Sequence, residues 1–295
     1  MSIGILCHPD EAESVQPALE RLKSQQISAW RLGAATDEEM EAHPDAELLV
    51  AVGGDGTFLL ASRLASKADI PVMGVNRGKL GFLTDVELPD LDRAVASFLD
   101  GTAPREQHRL LAYSLAGEDG TEKSGVAVND VVVRAPRIAA IRISVRTDGE
   151  LLGDFDADGL VIATALGSTG YALSGGGPPI DPRIQGIVFV PLAPHAVVSR
   201  AIVLPNTVSL RLTVEKGPAF LATDGDQQAL LGDDAEIAVT PGPFITVLRS
   251  PQGASWLQRL RTKARYGIPL RDSVEGRGNR HRQQTLLAGG ESVTD

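Results

Sequence analysis

Apolar and polar positions follow two different periods along this chain, and the change falls near Gly101-Thr102-Ala103-Pro104. Before it, short apolar runs alternate with stretches of helical spacing. Ile3–Cys7 reads as a buried strand, Glu11–Lys23 as a helix and Ser28–Leu32 as a short strand. Ala46–Val52, Thr57–Lys67 and Ile70–Val75 repeat the order strand, helix, strand, and Leu91–Leu99 is a helix opened by Pro89-Asp90. Strands separated by helix-length patterns predict βαβ units, hence a Rossmann-like α/β domain with a mainly parallel sheet over residues 1–104.

From Arg109 onward the period is two. Ile141, Ile143 and Val145 alternate with Arg142, Ser144 and Arg146, as do Val208, Leu210 and Leu212 with their neighbours. Thr147-Asp148-Gly149-Glu150 is a hairpin signal, and Glu236–Val239 and Phe244–Leu248 close the series. The pattern predicts a β-rich, sandwich-like second domain over 105–254, interrupted by a short helix within Ser168–Ser174. Ser255 is placed to cap a last helix, 255–271, expected to return to the first domain. Residues 272–295 have no periodicity and are expected to form a mobile tail. No internal repeat is visible.

Composition narrows the function classes. A chain of 295 residues with 43% hydrophobic positions suits one large or two modest domains. No apolar run reaches the roughly 18 residues of a membrane span, and MSIGILCHPDEAE lacks the features of a signal peptide. One cysteine, Cys7, excludes an internal disulfide framework, so a reducing cytoplasm is the expected compartment. The net charge of −10 argues against non-specific nucleic-acid binding, yet a local nest of N–H groups still suits an anionic small molecule. The five histidines never take the i, i+4 spacing of a helical zinc site.

The chemistry concentrates in Gly53-Gly54-Asp55-Gly56-Thr57, between an apolar strand and an apolar helix. A strand-to-helix turn needs a glycine, and aspartate is a good N-cap, so a plain cap is one reading. Three glycines around one acid point instead to close approach by a ligand. The turn lies at the C-terminal end of a parallel strand, where open α/β sheets bind ligands, and the helix start offers free N–H groups suited to phosphate. The Walker pattern GxxxxGK[ST] is absent, and GxGxxG fails because Leu59 stands where the third glycine belongs. What remains is a phosphate loop carrying its own carboxylate. Such a group is electrostatically wasteful unless it takes a proton or holds Mg²⁺, and phosphoryl transfer to a hydroxyl needs both.

A second cluster lies in Asp158–Gly177. Ser168, Thr169, Tyr171 and Ser174 supply hydroxyls, Gly167 and Gly170 keep the backbone open, and Tyr171 offers a flat face to a nucleobase. A polar turn at a sheet edge is the plainer alternative. Asp154–Gly159 begins like an EF-hand loop, but the twelfth position is Ala165 rather than glutamate, which rejects calcium. Asn129 and Asp130 interrupt the apolar run Val126–Val133. Buried unpaired they would be costly, so a strand end or a cleft is expected there.

These stretches, in this order, resemble the NAD kinase family: GGDGT at Gly53–Thr57, NRGKLGFL at Asn76–Leu83, VNDVVV at Val128–Val133, DGLVIATALGSTGYALSGGGP at Asp158–Pro178 and VPLAPHAVVSRAIVLP at Val190–Pro205. The likeness spans about residues 1–265. The resemblance implies an active site between an α/β and a β-rich domain. It also implies transfer of the terminal phosphoryl of ATP, or of polyphosphate, to the 2′-hydroxyl of the adenosine ribose of NAD, giving NADP with Mg²⁺ as the divalent cation. By the same likeness Asp55 is the general base, and Gly53, Gly54, Gly56 and Thr57 hold phosphate. Asp55 and Gly56 also touch NAD, together with Phe82, Asn129, Asp130, Asp158, Thr169, Gly170, Tyr171 and Ser174, partly across a subunit interface of a homodimer or homotetramer.

The sequence departs from the family pattern in four places. Thr-Gly-Ser-Thr-Ala-Tyr reads Leu166–Tyr171 with leucine first and Gly170 for alanine; Asn-Glu reads Asn129-Asp130; a basic residue of many bacterial members is Asp156; and Asp-Gly-Gln is spread over Asp224–Gln227. All four bear on dinucleotide recognition, and so on NAD against NADH. GGDGT alone also occurs in diacylglycerol and sphingosine kinases, so a lipid or small-alcohol kinase is one alternative. A non-catalytic NAD(P) sensor is the other.

Overall fold

The computed structural model describes residues 2–8, 11–33, 35–76, 81–116, 122–137, 139–196 and 198–268. Met1–Gly253 form one unit and the chain from Ala254 a second. In the first unit the chain begins β1 (Ser2–Cys7), α1 (Ala12–Ser24), β2 (Ser28–Leu32), α2 (Asp37–Glu41), β3 (Ala46–Val52), α3 (Asp55–Lys67), β4 (Val72–Asn76), β5 (Val86–Glu87) and α4 (Leu91–Leu99). β2, β1, β3 and β4 lie side by side and parallel, the order β4-β3-β1-β2 that the alternation of strand and helix anticipates. β1, β3 and β4 are almost wholly buried because helices cover both faces of a parallel sheet.

The rest of this unit is β6 (Arg105–Ala116), β7 (Glu122–Ala127), β8 (Asp130–Arg134), β9 (Ile141–Thr147), β10 (Glu150–Ala157), β11 (Gly159–Thr164), α5 (Tyr171–Ser174), β12 (Gly186–Leu192), β13 (Ile202–Pro205), β14 (Leu210–Lys216), β15 (Ala219–Thr223), β16 (Asp226–Leu231) and β17 (Glu236–Leu248). Two sheets result. β13-β12-β11-β8-β15-β16 is antiparallel, and β10-β9-β14-β17 runs on into the parallel strands because β17 pairs with β4, Val247 with Val72 and Leu248 with Met73. The C-terminal strands therefore extend the first sheet, a long-range pairing that no local pattern announces. Inward residues of both sheets, among them Ile143, Val145, Leu212 and Ile237 facing Val131, Val133, Leu160 and Phe189, share one core, which is the expected sandwich. The β9–β10 turn follows its sequence signal, with Asp148 and Gly149 both at positive φ (48° and 89°).

The second unit contributes α6 (Trp256–Lys263). Ser255 caps it in a reciprocal box: Gln258 N donates to Ser255 Oγ at 3.2 Å, and Ser255 N to Gln258 Oε1 at 2.8 Å. The expected tail lies outside the described residues. Among the described residues no helix is long and apolar enough to cross a membrane.

Candidate active site

β3 ends at Val52 and α3 begins at Asp55, so Gly53 and Gly54 make the whole turn. The amide of Gly53 donates to Val75 O at 2.9 Å, and a Cβ on Gly53 would lie 2.5 Å from Thr57 Oγ1, so the fold itself demands glycine here. Gly54 and Gly56 differ. Both are exposed, and among the described residues nothing stands within 4 Å of where their Cβ atoms would be. Their lack of a side chain serves no contact within the described chain and leaves open space at the start of a 13-residue helix. Gly54 is the N-cap and supplies no side-chain bond, so the plain-cap reading of Asp55 is not what the chain adopts. The first helical bond runs from Phe58 N to Gly54 O, so the amides of Asp55, Gly56 and Thr57 make no bond within the helix and have no partner among the described residues.

The Asp55 carboxylate turns to the segment after β4. Phe82 N donates to its Oδ2 at 3.2 Å and Leu83 N to its Oδ1 at 3.1 Å. A Cβ on Gly81 would lie 2.1 Å from Oδ1, so glycine at 81 makes room for the acid. The same segment crosses β4 closely: a Cβ on Gly74 would come within 3.0 Å of Leu83 O and Thr84 Cα. The stretch 77–80 of the NRGKLGFL motif lies outside the described residues.

Asn129 and Asp130 stand where the strand breaks between β7 and β8, as the cost of burying them predicts. Asp224, its side chain fully buried, organises this turn. Its carboxylate accepts from the amides of Val128 (3.0 Å), Asn129 (2.7 Å) and Asp130 (3.3 Å), and from Arg63 Nη1 of α3 at 3.0 Å. Asp130 is 4% exposed; burial first, and the neighbouring Asp224 second, push its carboxyl up to about 7. The Asn129 Oδ1 is buried with no partner among the described residues. Asp130, Val132 and Arg134 share one face of β8 and, with Asn129, Tyr171 and Phe220, line a cleft of about 370 Å³. Arg134 Nη1 donates to Tyr171 Oη at 3.1 Å at its rim.

The Ser168–Ser174 stretch is a 3-10 turn over Leu166–Thr169 followed by α5. Gly167 is forced, since a Cβ would lie 2.2 Å from Asn129 O. Gly170 brings the backbone close to both polar residues: its Cβ position is 3.5 Å from Asn129 Nδ2 and 3.9 Å from Asp130 Oδ2. Thr169, Gly170 and Tyr171 are half-buried and Ser174 is exposed. Ser168 is fully buried and bonded to Ala165 O and to both backbone groups of Ile180, so its hydroxyl ties the turn together and reaches no cleft. Phe58 and Leu59 from α3, Phe82 and Leu83, Val128, and Leu166 all belong to one apolar cluster. Four of the motif stretches thus meet at one place. Asp158 does not join them. It precedes Gly159, which pairs with Arg134, whereas Ala163 pairs with Asp130, so Asp158 lies at the far end of β11, about 16 Å along the strands.

Sequence reasoning passed over Gly81, Arg63 and Arg249, the last a buried cation whose Nη1 donates to Leu83 O at 3.0 Å. Gly81 and Arg249 act through contacts distant in sequence; only Arg63, a cation near the buried stripe of α3, left a local trace.

Residues 20–103 match the ATP-NAD kinase N-terminal domain and residues 128–248 the ATP-NAD kinase C-terminal domain. The chain is 34% identical to the NAD kinase of Aquifex aeolicus over 226 residues, covering 76% of this chain and 82% of the relative. The chain belongs to the NAD kinase family. It is also 39% identical to the NAD kinase of Bordetella avium over 247 residues, 80% of this chain and 81% of that one. Its fold is shared with the yeast NADH kinase solved with NADH (TM-score 0.77, 20% identity, 91% of this chain and 89% of that one). It is likewise shared with an Archaeoglobus fulgidus NAD kinase solved with ATP (TM-score 0.73, 24% identity, 90% and 99%).

Proposed function

We propose that this chain is an NAD kinase that transfers the terminal phosphoryl of ATP to the 2′-hydroxyl of the adenosine ribose of NAD, giving NADP, in the cytoplasm. The observation that carries this reading is the Asp55 carboxylate, held by the Phe82 and Leu83 amides at the start of α3, beside two glycines with open space around them. A ribose hydroxyl is a weak nucleophile; Asp55 accepts its proton as it attacks. The amides of the α3 start hold donor phosphate, which approaches over Gly54 and Gly56. Asn129 and Asp130 hold the adenosine part, with Phe82 and the run Thr169–Ser174 beside it, so that hydroxyl and phosphate meet without a search. Asp158 then serves a neighbouring subunit's site, in a homodimer or homotetramer.

Among the described residues no group of three or more His, Cys, Asp or Glu side chains is placed to hold a metal. One carboxylate beside a phosphate seat fits Mg²⁺ carried in on the donor, and that ion supplies charge neutralisation on the phosphates. The cleft sets the polar groups of Asn129, Asp130 and Arg134 beside the rings of Tyr171 and Phe220, a mixture that suits a nucleotide, with its flat base and its hydrogen-bonding edges, better than a lipid chain.

The test is NADP formation by the purified protein with NAD, ATP and Mg²⁺, repeated with NADH, with polyphosphate and with a lipid acceptor. Asp55→Asn is expected to lower kcat by about 10²–10⁴-fold while NAD still binds. Near-normal turnover in that variant would remove Asp55 as the base. A folded protein that binds NAD and turns over nothing would be a sensor.

A further inference from the structure

The Asp55 seat has a support behind it. Arg249, at the end of β17, is 5% exposed. Its Nη1 donates to Leu83 O at 3.0 Å and its Nε to Glu106 Oε2 at 2.8 Å. Continuing the β17–β4 register sets Arg249 beside Gly74, whose missing side chain lets the Leu83 carbonyl lie against the strand. One residue on, Ser250 N donates to Asp85 Oδ2 at 3.2 Å, so the end of β17 grips the crossing segment twice. Behind Arg249, Glu106 also meets His108 Nε2 at 3.1 Å.

Burying a guanidinium here is a poor way to gain stability. Its Nη2 is buried without a partner among the described residues, and a buried ion pair seldom outperforms an apolar residue of the same volume. What an apolar residue would not provide is a charge-assisted bond to one chosen carbonyl. Leu83 is the hinge of the arrangement: its N–H donates to Asp55 and its C=O accepts from Arg249. Resting on the reading of Asp55 as base, we propose that Arg249 is a positioning residue for phosphoryl transfer, fixing through the Leu83 carbonyl the two main-chain amides that hold Asp55. Glu106 orients the guanidinium, and the fork reaches both partners at once, which an ammonium does not.

The test measures kcat per folded molecule and, separately, the NAD dissociation constant by calorimetry, for Arg249→Met, Arg249→Lys and Asp55→Asn. Displacing a catalytic group by about 1 Å costs up to about 100-fold in rate, so Arg249→Met is expected to lose about 10- to 100-fold in kcat with NAD affinity unchanged within about threefold. Arg249→Lys keeps the charge facing Glu106 but not the fork, and is expected to lose kcat at least about fivefold, again with binding intact. If Arg249→Met does not fold, Arg249→Lys decides alone. Wild-type kcat in the folded variants, or loss of kcat and NAD binding together, overturns the proposal. Should Asp55→Asn stay active, the base assignment fails; should Asp55→Asn be inactive while both Arg249 variants run normally, only the positioning role fails.

Discussion

Gly54 and Gly56 carry the opposite instruction from Gly81. The first two leave space that the described chain does not use; the third leaves space that Asp55 fills. Gly56→Ala should therefore leave the fold intact, or stabilise it by up to about 1 kcal/mol as alanine replaces glycine in a first helical turn. The same methyl should raise KM for ATP by about tenfold or more; thermal melts and initial rates on one preparation check both. Asp130 gives a pH prediction. Its carboxyl keeps its proton up to about 7 in the fold and loses it near the usual carboxylate value when unfolded, so the folded state binds the extra proton in between. That contribution is complete below the usual value and is lost as pH rises through about 7. Asp130→Asn should leave stability unchanged at about pH 3, below the usual carboxylate value, and raise it by about 2–4 kcal/mol at about pH 8, read from urea unfolding at both pH values. Asp55 and the Asn129-Asp130 pair were legible in the sequence because polar residues interrupt apolar runs there. Gly81 was not, because the atom it makes room for is 26 positions away in the chain.

At the scale of elements, α3 carries two jobs on one rod. Its first residue presents the carboxylate, and Arg63, two turns on, grips Asp224, which holds the amides of residues 128–130. Arg63→Met would leave the fully buried Asp224 charge with amide partners only. The expected cost is about 2–4 kcal/mol in urea unfolding, with weaker NAD binding as the 128–130 turn loosens. The strand and helix pattern of the first hundred residues was readable within one or two positions, since burial on one stripe or one face leaves a period. α3 starts two residues earlier than its apolar stripe, because a glycine cap needs no apolar residue. α2 was missed: five residues reading DEEME, capped by Thr36, hold no stripe to detect. β17 was seen only as two pieces, because Pro241 and Gly242 break its alternation where the register with β6 shifts.

For the whole molecule, the pairing of β17 with β4 makes one sheet out of what the sequence divides near residue 104. The cores agree: Ile245 and Val247 of β17, with Leu110, Val128 and Leu166, pack in the cluster that holds Phe58 and Leu59 of α3, and Leu248 joins that of β1 and β3. A fragment of residues 1–104 should therefore fail to fold by itself, giving no cooperative thermal transition, and should regain one when produced together with 105–295. A cooperative melt in the isolated fragment would refute this. The same strand sets a timetable for a growing chain. Met73 leaves the ribosome about 175 residues ahead of its partner Leu248, which at typical synthesis speeds is a wait of roughly 10–35 s. Throughout that interval the apolar β4 segment lacks the strand that completes its sheet and is open to pairing with any passing strand, so the newborn chain is a stage at which this protein is exposed to aggregation.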